Sequence, residues 1–208
     1  MKETNKADFK KSLTYFWPLY LLCPTVFAIS ISYCFYVIHQ PSDYEKLDVF
    51  VSSSSAKEAS FCQMMEDTFS EEGLKQASMT QCNPSDAVFP QKLSVVGYNR
   101  SDLFLLPLSA FESMTPADIL VPFSSEFIAS YVVEPSPDYY VSEGVDFAIK
   151  IKSAEESSWL SDYIDFVDED YYLCLNATSK NIGDVGIYDN PDYDLALRAF
   201  TFLQKGSK

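Results

Sequence analysis

The hydrophobic pattern divides the chain into two parts of different kind. From Leu13 to Ile38 the sequence LTYFWPLYLLCPTVFAISISYCFYVI carries no charged residue, and about 20 apolar residues suffice for a helix to cross a bilayer core. Tyr15, Phe16 and Trp17 at one end, and Tyr33, Phe35 and Tyr36 at the other, match the aromatic belts of a spanning helix. Lys2, Lys6, Lys10 and Lys11 precede the run, whereas His39-Gln40-Pro41-Ser42-Asp43 follows it. The positive-inside bias therefore predicts a cytoplasmic tail over 1–12, a transmembrane helix over 13–38 and a C-terminal part outside the cytoplasm of a single-pass plasma-membrane protein. A cleaved signal peptide has an apolar stretch of only about 7 to 15 residues ending at a small-residue site. Neither feature is present, so the segment reads as an uncleaved anchor. Pro18 and Pro24 each remove a backbone donor and are expected to bend its first half.

After a linker at 39–46, the pattern from 47 to 208 alternates between short apolar runs and helical periods. Leu47 to Val51 reads as a strand, Ser52 to Ser55 as a turn, and Ala56 to Ser70 as a helix built on Phe61, Met64, Met65 and Phe69. Leu74 to Cys82 predicts a second strand and Pro84 to Gly97 contains a short helix. Leu103 to Pro107 is a continuous apolar strand, the kind that is covered on both faces of a parallel sheet. Ile119 to Pro122 reads as a strand, Glu134-Pro135-Ser136-Pro137 as a break, Val145 to Lys152 as a strand, Ser157 to Phe166 as a helix, Tyr171 to Leu175 as a strand and Pro191 to Gln204 as a closing amphipathic helix. Strands separated by helices imply β-α-β units. The expected architecture is an α/β domain over 47–208, with a mainly parallel sheet and flanking helices.

Composition narrows the functions open to such a domain. The chain has 208 residues, 30 acidic against 15 basic side chains, and a formal net charge of −15. Residues 39–208 hold 28 acidic and 11 basic residues, a balance of −17. Phosphate backbones repel such a surface, so nucleic acid is excluded as a partner. The only histidine, His39, abuts the membrane segment, which removes Ser-His and Cys-His catalysis from the outer part. Asp162, Asp165, Asp168, Glu169 and Asp170 read as a solvated helix face and its exit, and the aspartates of 184–194 lack the spacing of a calcium loop. No cofactor or metal is expected, and no enzyme. Cys23 and Cys34 lie in the membrane segment. Of Cys62, Cys82 and Cys174, at least one is unpaired, and Cys62 reaches Cys82 only if their Cα atoms approach within about 7 Å. Asn99-Arg100-Ser101 and Asn176-Ala177-Thr178 fit the glycosylation sequon.

Open parallel sheets take ligands beyond the carboxyl ends of their strands, where loops lead into helix N-termini. Ser53, Ser54 and Ser55 occupy such a place, as a ligand rim or, through Ser54 or Ser55, as a simple helix cap. Ser109, just after the Leu103 to Pro107 strand, falls on the same edge if the two strands are parallel.

Read together, LDVFVSSSSAKEASF, SDLFLLPLS and NPDYDLALRAFTFL resemble the first strand with its serine loop and helix, a later central strand and the C-terminal helix of the periplasmic-binding-protein type 2 fold of ABC-transporter solute-binding proteins. The resemblance covers most of residues 46–204. YYLCLNATSKNIG is similar to a stretch in short membrane-anchored proteins of Gram-positive bacteria. Solute-binding proteins are about twice this size, so the resemblance implies a reduced second lobe. It also implies a membrane-anchored extracytoplasmic binding or accessory subunit near an ABC-type transport system, with transporter subunits as partners and a small molecule held by the serines. The other reading is an interaction ectodomain with no small-molecule ligand. A deep cleft lined by the serines favours the first, and a filled one the second.

Overall fold

The computed structural model describes residues 4–133, 137–188 and 190–205, with side chains of the first helix described at Lys11 and from Leu21 onward. The Glu134 to Pro137 break lies mostly outside the described residues. The chain separates into two compact units, Met1–Gln40 and Pro41–Lys208.

The first unit is one helix, α1, Thr4–Ile38. Within it Leu21–Ile38 has a mean hydropathy of 2.0 and none of it is buried, so by length and composition this helix is a candidate membrane span. Helical structure begins well before Leu13 and takes in most of the Lys-bearing segment. The hydroxyls of Thr25 and Ser30 donate to the Leu21 and Val26 carbonyls at 2.7 and 2.8 Å. Both hydroxyls are thus satisfied within the helix itself.

The second unit is a mixed α/β domain. Its elements are β1 (Lys46–Ser52), β2 (Ser55–Ala56), α2 (Glu58–Phe69), β3 (Gln76–Cys82), α3 (Phe89–Lys92), α4 (Tyr98–Arg100), β4 (Leu103–Pro107), α5 (Leu108–Phe111), α6 (Ser125–Tyr131), β5 (Tyr139–Ser142), β6 (Val145–Lys152), β7 (Ile164–Asp165), β8 (Tyr171–Leu175) and α7 (Leu195–Lys205). Six strands form one sheet in the order β3-β1-β4-β8-β6-β5, while β2 and β7 pair separately. β1 is parallel to both β3 and β4. β8 runs antiparallel to β4 and to β6, and β5 antiparallel to β6. β3, β1, β4 and β6 therefore point one way, and β8 and β5 the other. The chain leaves β1 toward one side through α2 and returns on the other as β4, which creates a switch in strand order between β1 and β4.

The apolar run of β4 is explained by cover on both faces. Every residue of β4 is buried. Leu103 and Leu105 pack with Phe61 and Met65 of α2 and with Leu197, Phe200 and Leu203 of α7. Phe104 and Leu106 face the opposite layer, with Phe50, Phe89, Leu93, Phe111 and Cys174. Successive side chains of a strand point to opposite faces, so a strand between two apolar layers shows no alternation.

Three predicted elements differ. Ile119 to Pro122 makes only one bridge, Leu120 to Asn176, because a tight turn at Pro116–Asp118 delivers it past the end of β8. Ser157 to Phe166 is not a helix: a single turn at Trp159–Asp162, with the Ser158 hydroxyl accepting from the Leu160 N–H, leads into β7, which pairs with β2. Its apolar residues recur at helical spacing because the turn and the strand share one core. The closing helix begins at Leu195 rather than Pro191, since the Gly183 and Asn190 amides tie the preceding residues into a loop. Cys62, Cys82 and Cys174 are all unpaired, and burial pushes the Cys62 thiol up to about 11.

Candidate functional site

The serine loop and Ser109 do lie on the same edge of the sheet, because β1 and β4 are parallel and each serine follows the carboxyl end of its strand. Neither Ser54 nor Ser55 caps a helix, however. Ser55 belongs to β2, and the cap position of α2 is Lys57, with no side-chain hydrogen bond. Ser53 is fully buried and donates to the Ser55 carbonyl at 3.1 Å. Ser54 gives both its N–H and its hydroxyl to the Asp165 carbonyl, at 3.0 and 2.7 Å, and the Ser55 hydroxyl donates to the Asp165 carboxylate. The Ser109 N–H donates to the Glu169 carboxylate at 3.1 Å, and the Leu108 N–H to the Asp170 carbonyl at 2.9 Å. Lys57 binds the same stretch, through its N–H to the Tyr163 carbonyl and through Nζ to that of Asp162.

Residues 162–170 thus form a strap that answers the donors of both loops at the switch point. The acidic run is this strap and not a solvated helix face. Of the four predicted site residues, Ser54, Ser55 and Ser109 are tied to the strap, Ser53 bonds instead to the Ser55 and Cys82 carbonyls, and the four do not converge on a shared cleft. Ser109 also borders an open depression with Pro84, Asp86, Phe89, Pro90 and Ser113, which the other three serines do not line.

A second constellation lies at the opposite ends of these strands. A polar cavity of about 200 Å³ is walled by the start of β1 (Lys46, Asp48), by Asn99 to Asp102 ahead of β4, and by Asn176 and Thr178 to Asn181 after β8. Its inner wall is held by Asp102, 6% exposed. The Asp48 N–H donates to one Asp102 carboxylate oxygen at 2.9 Å. The other oxygen accepts from the Ser179 hydroxyl at 2.5 Å and from Asn181 Nδ2 at 3.4 Å. Burial is the main cause that raises the Asp102 carboxyl to about 7, and the charge of Asp48 adds to it, while the three donors pull the other way. The side-chain amide of Asn176 donates to the Tyr98 and Ser101 carbonyls at 2.9 and 2.7 Å, which closes the sequon asparagine off from modification in the folded chain. Asn181 Nδ2 also ties the Asp43 and Lys46 carbonyls, leaving its Oδ1 buried without a donor.

Local winding sets Arg100 at the cavity. Leu93–Gly97 coils as a π-helix and runs directly into α4, a rare geometry that often occurs at functional sites. A Cβ on Gly97 would meet Leu93 Cδ1 at 3.1 Å and Phe104 Cε1 at 3.2 Å, so glycine lets the coil pack closely on the sheet. None of Lys46, Arg100, Ser101, Asp102, Ser179 or Asn181 stands out in the sequence. The one available signal is the acid beside a doubly covered strand, which must find partners if it is buried.

No protein-family model matches the chain, and no curated protein or solved structure matches it either. The class that the fold and site define is a mixed α/β domain preceded by a candidate membrane-spanning helix.

Proposed function

We propose that the protein is a single-pass plasma-membrane anchor carrying an extracytoplasmic interaction domain, an accessory subunit that works by contact with another membrane protein. The observation that carries this reading is the strap: where an open α/β sheet holds its ligand, this chain places its own residues 162–170, hydrogen-bonded to both loops. The surface supplies apolar contact groups, with Ile187 69% and Tyr188 47% exposed. An ABC-type transport system is the partner class implied by the resemblance to solute-binding proteins. The positive-inside bias of the four N-terminal lysines supports a cytoplasmic N-terminus.

Two measurements test the proposal. External protease applied to intact cells is expected to remove the acidic domain and leave a membrane-bound fragment of about residues 1–40; a soluble chain starting after Ile38 in untreated cells would reject the anchor. A melting screen of the full chain in detergent against amino acids, peptides and sugars is expected to show no shift. A shift that is abolished by Ser54→Trp would put a ligand at the serine loop and restore the solute-binding reading.

A further inference from the structure

The strap does not cover the whole carboxyl edge of the sheet. Beyond the ends of β3 and β4, between the start of α3 and α5, lies the open depression that Ser109 borders, about 300 Å³ in volume. The buried Phe89 and Ala110 form its floor, with Pro84, Pro90 and Ser113 at the rim. Val88 and Leu108, each adjacent in sequence to a lining residue, are 52% and 42% exposed. Apolar groups gathered around a hollow mark interaction surfaces, because a partner's side chain placed there leaves water on all sides.

The rim is stiff. Proline fixes its own φ. The Asn83 side chain accepts from the Ser85 N–H at 2.9 Å, the Asp86 N–H donates to the Asn83 carbonyl at 3.1 Å, and the Phe89 N–H donates to the Asp86 carbonyl at 2.9 Å. Beneath, the Phe89 ring packs on Phe50 with centroids 6.4 Å apart. A surface already held in place loses little freedom when something docks on it.

Charge selects the occupant. Asp86 is the only charged residue of the lining. Among the described residues its carboxylate has neither an ion pair nor a hydrogen bond, and the same is true of Glu112, beside Ser113. Lys92 of α3 gives its Nζ to the Gln81 carbonyl at 3.4 Å, and Lys152 reaches the Glu169 carbonyl at 3.5 Å, so neither answers these two acids. An isologous contact with a second copy would bring the unpaired carboxylates of both copies into one patch, which like charges oppose. An anionic lipid surface is repelled in the same way. A basic group beside an apolar one is the chemistry that fits.

We propose that this depression seats a basic segment of the partner membrane protein, with a lysine or arginine on Asp86 and an adjoining apolar side chain over Phe89 and Ala110. The inference rests on the interaction reading above and names the surface and the chemistry of the partner.

The test places the photocrosslinker benzoylphenylalanine in the full chain, in the membrane of the cells that make it, at one of three positions: Val88 at the depression, Ile187 on the exposed loop, or Glu71, which precedes β3 at its far end from the depression. Irradiation at position 88 is expected to give an adduct with another membrane protein, in which the crosslinked residue lies within a few positions of a lysine or arginine. Position 71 is expected to give none. Asp86→Lys should cut the yield at position 88 by roughly tenfold, as the loss of a charge pair with repulsion in its place requires. Changing the mapped basic residue of the partner to Glu should restore it. An unchanged melting temperature of Asp86→Lys shows that the fold is intact. An adduct with a second copy, an adduct in a segment without a basic residue, or a yield indifferent to Asp86→Lys would overturn the proposal. An adduct at position 187 but not at 88 would overturn this seat and leave the interaction reading standing, whereas no adduct at either position would remove both.

Discussion

Leu105→Asp is expected to leave the second unit unfolded. Leu105 is fully buried at the centre of β4, opposite Val51 of β1 on one side and Leu173 of β8 on the other. Its side chain sits in the layer formed by α2 and α7. A carboxylate there has no cation among its neighbours, and an uncompensated buried charge costs several kcal/mol, comparable with a whole domain stability of about 5–15 kcal/mol. Leu105→Met keeps volume and polarity and is expected to cost under about 1.5 kcal/mol. Limited proteolysis of the full chain reads the difference: the Asp variant should be degraded from Pro41 onward under conditions in which the Met variant and the wild type survive. A protease-resistant Asp variant would show that β4 is not the shared middle of the two apolar layers.

Asp102 is expected to make the domain less stable as the pH rises from about 4 to about 7. Its carboxyl titrates near 7 in the fold, against 3.8 ordinarily, so over that window the folded state holds a proton that the unfolded state has lost. Stability from this group is fully present below the unfolded value and is gone once the pH passes the folded one. A rise from 3.8 to about 7 corresponds to on the order of 4 kcal/mol. Asp43 acts in the opposite sense, because Lys180 holds its carboxyl low and its contribution is lost only as the pH falls below the ordinary carboxylate range. Asp102→Asn removes the titration. Its amide nitrogen must face the Asp48 N–H, or else the Ser179 hydroxyl and Asn181 amide, so one acceptor is lost at about 1–3 kcal/mol. Urea unfolding should therefore find the variant weaker than the wild type at pH 5 and equal or stronger at pH 8. Parallel pH dependences in the two proteins would show that Asp102 is ionised in the fold throughout.

Several elements were legible along the chain because one residue type dominates each. The uncharged run ending at Ile38 forms a helix on length and hydropathy alone. The strands at Leu103, Val145 and Tyr171 and the helix carrying Phe61 and Met65 follow from side chains that must be buried whatever surrounds them. The parallel pairing of β1 with β4 places Ser53 and Ser109 on one edge as expected.

What occupies that edge could be decided only by the tertiary structure. Asp165 meets Ser55 across 110 positions of chain, and Glu169 meets Ser109 across 60. The same holds for the cavity, where Asp102 is met by Ser179 from 77 positions away. The helical spacing of Trp159, Leu160, Tyr163 and Ile164 misled because a turn followed by a strand can bury the same residues once β2 is there to pair with it. Apolar side chains declare their burial locally, since transfer from water favours it in any context. A polar side chain is buried only where a partner arrives, and here the partners come from distant strands, so the strap and the cavity exist only in the folded chain.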